Sequence, residues 1–275
     1  MTGANGELRR IPFARIAVGC LLAAVFIAAY LHSRPAWGAA TLILLLVGAI
    51  EWARLGGFTW GQTVFYVLSI VGLSASSVTL FAGGSGGGVN LYALGMLFWI
   101  LLAPVALVGV RFRSEYAHAL FGALILVSAW TAIIDLNERN PHLMLFAIVL
   151  VALFDSFAMF FGRRFGKKKL APRISPNKTW EGVGGGFIIA HVGAFGLWVY
   201  HGGSFPLVMY SCFTLAMLAL ALLGDLYEST IKRQAGVSDS GFLLMSHGGV
   251  LDRVDGMLPV IPFAALMDRS LEFLY

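Results

Sequence analysis

The stretch FPLVMYSCFTLAMLALALLGDLYESTIKR, residues 205–233, carries no charge over its first 19 positions and then places Asp225, Glu228, Lys232 and Arg233 within nine. A bilayer core about 30 Å thick needs roughly 20 mostly apolar residues per helix. The first part therefore reads as a membrane span and the second as its polar exit. Windows of the same kind recur at residues 14–31, 36–50, 60–81, 91–110, 116–134, 142–161, 183–200 and 257–274. The second is short, and the last ends in Asp268, Arg269 and Glu272. Composition agrees, because 59% of the 275 residues are hydrophobic and only 12% charged, against roughly 25% charged in a soluble domain. The pattern predicts an all-α, polytopic integral membrane protein with about nine transmembrane helices. Five lie in residues 1–140 and four in 141–275, forming one continuous membrane domain whose loops in the second half carry the chemistry.

The same arithmetic excludes disorder, a collagen-like repeat and a disulfide scaffold. The two cysteines, Cys20 and Cys212, sit inside apolar stretches and read as reduced packing residues. Arg9, Arg10 and Arg15 precede the first window as they would a signal peptide, but eight further spans favour an uncleaved first helix. With the amino terminus in the cytoplasm, 16 Lys and Arg fall on the cytoplasmic side and 3 (Arg34, Arg139, Arg269) on the other. That asymmetry supports N-in topology. It also accounts for the net charge of +5 through anionic lipid heads, with no nucleic acid required. A compact chain without an organellar presequence fits a bacterial inner membrane. The glycine-rich run AGGSGGG, residues 82–88, lacks the Lys and the strand-to-helix setting of a phosphate loop, and reads as a linker.

Five of the 14 acidic residues, Asp225, Glu228, Asp239, Asp252 and Asp255, fall within 31 positions. Ionisable groups at membrane depth are costly and are functional candidates for that reason. Asp225, Glu228 and Lys232, at i, i+3 and i+7, share a helix face, with Ser229 on its edge. Asp252 and Asp255, at i, i+3, share another, after a glycine pair that permits a turn from His247. Carboxylates converging from two helix ends form the oxygen-rich pocket that Mg2+ requires. An interfacial salt-bridge network with Lys232, Arg233 and Arg253 is an equally direct reading, and a proton or cation pathway is a third. The second constellation is FGRRFGKKKLAPRISPNKTWEG, residues 161–182, where seven Lys or Arg are interrupted by Gly166, Pro172 and Pro176. Those breakers prevent one continuous helix and imply a folded loop. Its charge suits a di- or triphosphate or an anionic lipid head, or serves only as a topology signal. Lys178, after Ser175-Pro176-Asn177, stands in a turn rather than in a plain basic run. Asp155 within the sixth window lines the site or partners a basic residue elsewhere. Gly182 and Gly186 have the spacing of close helix packing.

These residues carry a resemblance. STIKRQAGVSDSGFLLMSHGGVLDRVD, residues 229–255, resembles the signature of the CDP-diacylglycerol synthases, or phosphatidate cytidylyltransferases. KLAPRISPNKTWEG (169–182) and DSFAMFFGR (155–163) are similar to two further family segments, and Glu51-Trp52-Ala53-Arg54-Leu55 is a weaker likeness. The strong resemblance covers residues 142–263. It implies a membrane enzyme that makes CDP-diacylglycerol from phosphatidate and CTP, releasing pyrophosphate with Mg2+, a second cation being an option. On that resemblance Asp225, Asp252 and Asp255 hold the metal, and Glu228 and Ser229 shape its surroundings. Lys178, Lys232, Arg233 and Arg253 neutralise phosphates, with Ser175 and Asp155 lining the substrate region. His247 hydrogen-bonds a phosphate oxygen, and Asp239 positions a basic group or the cytidine. Partners are CTP, phosphatidate and membrane lipids, with a homodimer left open. The apolar residues 242–245 flank lipid entry or pack the loop. Where the family pattern reads Lys-Asp, this chain has Ser238-Asp239, which predicts weaker CTP binding. A CTP-dependent isoprenoid kinase or cytidylyltransferase and a cation-coupled transporter are the competing readings.

Overall fold

The computed structural model describes residues 24, 26–82, 87–110, 114–203, 205–241 and 248–272. Helix α1 (Arg34–Leu55) starts where Ser33 caps Ala36 N, with a proline in its first turn, and it runs past the apolar window to enclose Glu51 and Arg54. Helix α2 (Trp60–Ala82) follows. The next span begins as α3 (Gly87–Leu97), widens into a π-helical turn (Phe98–Leu102) and closes as α4 (Ala103–Leu107). Pro104 lacks the N–H that would bond back one turn, and the wider turn just before it matches that loss. Long helices α5 (Glu115–Arg139) and α6 (Pro141–Phe165) are joined at Asn140, whose side chain caps Leu143 N.

Among the described residues six helical stretches, those at 34–55, 89–107, 115–139, 141–165, 180–200 and 207–234, are long and apolar enough to cross a membrane, which makes the chain an integral membrane protein of helical class. The expected nine are not all found among the described residues. The last apolar window forms only α10 (Met257–Glu272), 16 residues with Pro262 inside, and the charged residues of its last turn fit poorly in a bilayer core. The first window lies mostly outside the described residues, as do positions 83–86 of the glycine run. Helix α2, at 23 residues, has the length of a span.

Among the described residues, the all-α expectation gives way at the basic loop. Strands β1 (Lys169–Ala171) and β2 (Ser175–Thr179) form an antiparallel hairpin, pairing Lys169 with Thr179 and Ala171 with Ser175. Pro172 and Pro176 cannot continue a helix, and an Ile174 N to Ala171 O bond of 3.1 Å closes the turn between the strands. Thr179 then caps α7 (Trp180–Tyr200) by accepting from Gly182 N at 3.2 Å. Helices α6 and α7 pack at backbone distance. A Cβ on Gly182 would lie 2.6 Å from Ala158 O, and one on Gly186 would lie 2.8 Å from Phe154 O. The GxxxG spacing is therefore realised as a helix contact.

Helix α8 (Leu207–Gln234) is the longest element. After it, residues 235–241 and 248–250 lead into the short α9 (Leu251–Val254) and then α10. Helix α10 packs on α3, α5, α6 and α8 and so forms the bundle's interior. Its buried residues Val260, Ile261, Ala264 and Ala265 meet Met217, Leu218 and Ala221 of α8 and Ala147 and Leu150 of α6.

Candidate active site

At one end of the bundle, the termini of α1, α6 and α8, the hairpin and α9 bring two clusters of charge together. In the first, Lys178 of β2 is ion-paired with Asp225 of α8. The hairpin makes this contact: it reverses the chain after α6, so Lys178 returns over the bundle instead of extending into solvent. Asp155 of α6 and Asp255, just after α9, lie within electrostatic reach of that pair. Asp255 is 8% exposed and accepts from Gly256 N at 2.7 Å. Burial, with the charges of Asp225 and Asp155 added, pushes its carboxyl well above the ordinary carboxylate range. Gly224 permits this approach, because a Cβ there would strike Asp255 O.

The second cluster is built on Lys232, one helical turn beyond Glu228. Lys232 Nζ is ion-paired with Glu228 and lies 2.6 Å from Asp252 Oδ1. Asp252 Oδ2 accepts from Gly249 N at 2.7 Å and from Ser240 N at 3.2 Å. Burial alone would raise the Asp252 carboxyl, but hydrogen bonds with Glu228, Lys232 and Gly249 outweigh it and hold the pKa at about 2. Asp252 is thus an anion at any physiological pH. The two clusters adjoin, since Glu228 lies within electrostatic reach of both Asp252 and Asp255.

Other expected site residues fall into three groups. Ser229 is buried beside Glu228, and Ser175 begins β2 opposite Ala171. Arg233 is exposed and spends its guanidinium on carbonyls, Nε donating to Ile174 O at 3.1 Å and Nη1 to Val237 O at 3.4 Å. It ties α8 to the hairpin turn. Arg253 and Asp239 are exposed, the latter accepting from Ser238 Oγ at 2.9 Å. His247 and residues 242–246 lie outside the described residues. Asp252 of α9 and Asp255 just after it, three residues apart on helical backbone, take different partners, Lys232 for the first and the Asp225–Lys178 pair for the second.

One participant is singled out in the sequence only inside the weaker likeness at residues 51–55 and given no role. Glu51 of α1 is 2% exposed and accepts from Val250 N at 3.0 Å, Leu251 N at 2.8 Å and Ser240 Oγ at 3.3 Å. The signal was a lone carboxylate at the end of the second window, read as the window's charged boundary. Next to it, Trp52 stacks on His118 of α5 at 4.8 Å, and its Nε1 donates to His118 O. This contact fixes α1 against α5. A cavity of about 240 Å³ opens beside the site, lined by residues 54–57 and by Ala235, Val237, Asp239 and Ser240.

The donor set can be tested against a metal. Among the described residues, no three His, Cys, Asp or Glu side chains converge as a ready-made cage. Mg2+ seldom uses one: it binds through one or two carboxylates and leaves its other positions to phosphate oxygens and water. Asp225, Asp255 and Asp155 offer oxygen donors alone, and Lys178 is the cation paired among them. Carboxylates that repel one another in this way fit a divalent cation, which would relieve the repulsion.

The description of the cytidylyltransferase family matches residues 13–271 of the sequence. The chain belongs to that family. Among curated members, it is 31% identical to a phosphatidate cytidylyltransferase of Haemophilus influenzae over 88% of this chain and 93% of that protein. It is 34% identical to the phosphatidate cytidylyltransferase of Pseudomonas aeruginosa over 80% of this chain and 83% of that one. A Bacillus subtilis phosphatidate cytidylyltransferase shares 42% identity over 129 residues, 47% of this chain and 48% of its own. As a cytidylyltransferase family member, the chain carries its acidic and basic clusters inside the matched region.

Proposed function

We propose that the protein transfers CMP from CTP to phosphatidate, giving CDP-diacylglycerol and pyrophosphate, at a site facing the cytoplasm of a bacterial inner membrane. The observation that carries this reading is the joining of Lys178–Asp225–Asp255 to Lys232–Asp252–Glu228 at the end of the bundle that bears the basic hairpin. The orientation is supported by the 16 to 3 distribution of Lys and Arg.

The reaction asks little of a general base. The phosphate of phosphatidate is already an oxyanion near neutral pH, and its oxygen attacks the α-phosphorus of CTP. A new P–O bond forms as the bond from that phosphorus to the β-phosphate bridging oxygen breaks, and pyrophosphate leaves with the electron pair. The difficulty is bringing two polyanions together and holding the charge that develops on the leaving group. Lys178 and Lys232 are fixed cations for this purpose, each pre-positioned by carboxylates, so little reorganisation is needed when phosphates arrive. Asp225, Asp252 and Asp255 would hold Mg2+. When bound, Mg2+ supplies charge neutralisation on the phosphates. Arg233 keeps the hairpin, and with it Lys178, over the end of α8.

Detergent-purified protein, incubated with phosphatidate and CTP labelled in the cytidine ring, is expected to move label into the lipid phase with Mg2+ and not with EDTA. Asp252→Asn is expected to lose that transfer. Phosphorylated lipid without cytidine would instead identify a kinase, and no lipid product from folded protein would refute the reading.

A further inference from the structure

We infer that Glu51 is a positioning residue of the transfer site, fixing the backbone that presents Asp252 to Lys232. The carboxylate of Glu51 comes from the last turn of α1, far away in sequence from the acidic cluster. Its three donors arise on both sides of the loop between α8 and α9: Ser240 Oγ before it, Val250 N and Leu251 N after it. The same two stretches also supply Asp252, whose Oδ2 accepts from Ser240 N and Gly249 N. Two carboxylates thus share one strip of backbone, with Glu51 behind it and Asp252 in front.

The fit leaves no slack. A Cβ on Gly249 would strike Ser240 Oγ and lie 2.7 Å from Glu51 Oε2, and one on Gly241 would strike Glu51 Oε1. The second glycine of the His-Gly-Gly motif is therefore required by the close approach of Glu51. Burying a carboxylate in this position is costly unless its oxygens are satisfied, and here backbone N–H groups and a hydroxyl satisfy them. An amide in its place keeps one acceptor but turns an N–H2 group toward backbone N–H donors. The start of α9 must then shift, and Asp252 shifts with it away from Lys232.

The inference rests on the cytidylyl-transfer reading for its kinetic consequence but not for its structural one. Glu51→Gln is expected to lower kcat by an order of magnitude or more while changing the KM for CTP less than about threefold, because a displaced Asp252 harms the step and not the encounter. Ser240→Ala, which removes one donor and keeps the Ser240 N–H, is expected to show a smaller loss of the same kind. Without any substrate, the labelling rate of Lys232 by an amine-acylating reagent, read by mass spectrometry, is expected to rise in Glu51→Gln toward its rate in Asp252→Asn. If labelling of Lys232 stays at the wild-type rate in folded Glu51→Gln, the inference fails whatever the enzyme does. It also fails if kcat is unchanged, or if kcat falls only in proportion to folded protein. Should Glu51→Gln not fold, Ser240→Ala decides by the same two readouts.

Discussion

Lys178 is the cation on which the first cluster depends. It sits between Asp225, with which it is paired, and the nearby Asp155 and Asp255. Removing it leaves three carboxylates where phosphates must enter. Lys178→Met is expected to lower kcat/KM by about 100- to 1000-fold, the usual cost of deleting one preorganised donor to a developing anion. Lys178→Arg is expected to recover part of that loss, and steady-state assays with CTP varied would show both. Ser238 is a smaller matter, since it is exposed and only hydrogen-bonds Asp239. Exposed charge pairs contribute about 0.2 to 1 kcal/mol, so Ser238→Lys is expected to lower the apparent KM for CTP by at most about fivefold. An unchanged KM would overturn the expectation that Ser238 weakens CTP binding. The Glu228–Lys232 pairing was legible in sequence because i, i+4 helical spacing dictates it. Those of Asp225 with Lys178 and of Lys232 with Asp252 were not, because they join elements far apart in the chain. Glu51 was marked only by a weak likeness, and its role was illegible because its partners are mostly backbone groups about 200 positions away, and backbone groups leave no trace in a sequence.

The contact between α6 and α7 sets the distance between Asp155 and the strand that carries Lys178. Both helices meet through glycine, so the helix spacing should be sensitive to one face of α7 and indifferent to the other. A Cβ on Gly186 would approach Phe154 O and Ala158, whereas one on Gly184 would meet nothing within 4 Å. Gly186→Leu is expected to destabilise the fold by about 1 to 3 kcal/mol, as overpacking does, and to reduce transfer activity in the surviving protein. Gly184→Ala is expected to leave both unchanged. Thermal unfolding in detergent, with activity measured on the same samples, separates these outcomes. This contact was readable from the Gly182–Gly186 spacing, and most spans were readable from apolar length. The hairpin was only half readable: Pro172 and Pro176 excluded a helix, but strand pairing depends on the closing turn and on where Thr179 starts α7. Helix α1 was read short because Glu51 and Arg54 were taken as its polar end, when burial of Glu51 keeps that turn inside the fold.

Across the whole molecule, α10 joins two polar regions that do different work. It leaves the site just after Asp255, and Arg269 lies 12 residues past Met257, about 18 Å at 1.5 Å per residue. There the Arg269 guanidinium grips Asp135 of α5 in a two-pronged pair, Nε to Oδ2 at 2.9 Å and Nη2 to Oδ1 at 2.5 Å. Asp268 meets Arg139 at 3.6 Å and accepts from Asn140 at 2.8 Å. This network binds the end of α10 to the junction of α5 and α6. It contributes no group to the Lys178 and Lys232 clusters. Asp135 is 8% exposed, and Arg269→Met leaves it only Arg139, at 3.8 Å, as counter-charge, so the cost is expected to fall below the roughly 3 to 5 kcal/mol of a fully broken buried pair. The variant is expected to unfold at a markedly lower temperature in detergent while the kcat/KM of its folded fraction stays near wild type. Adding Asp135→Leu removes the under-compensated carboxylate and is expected to restore part of the stability. The opposite pattern, a fall in kcat/KM with the unfolding temperature unchanged, would mean that the far end of α10 governs the position of Asp255, and that site and scaffold cannot be separated.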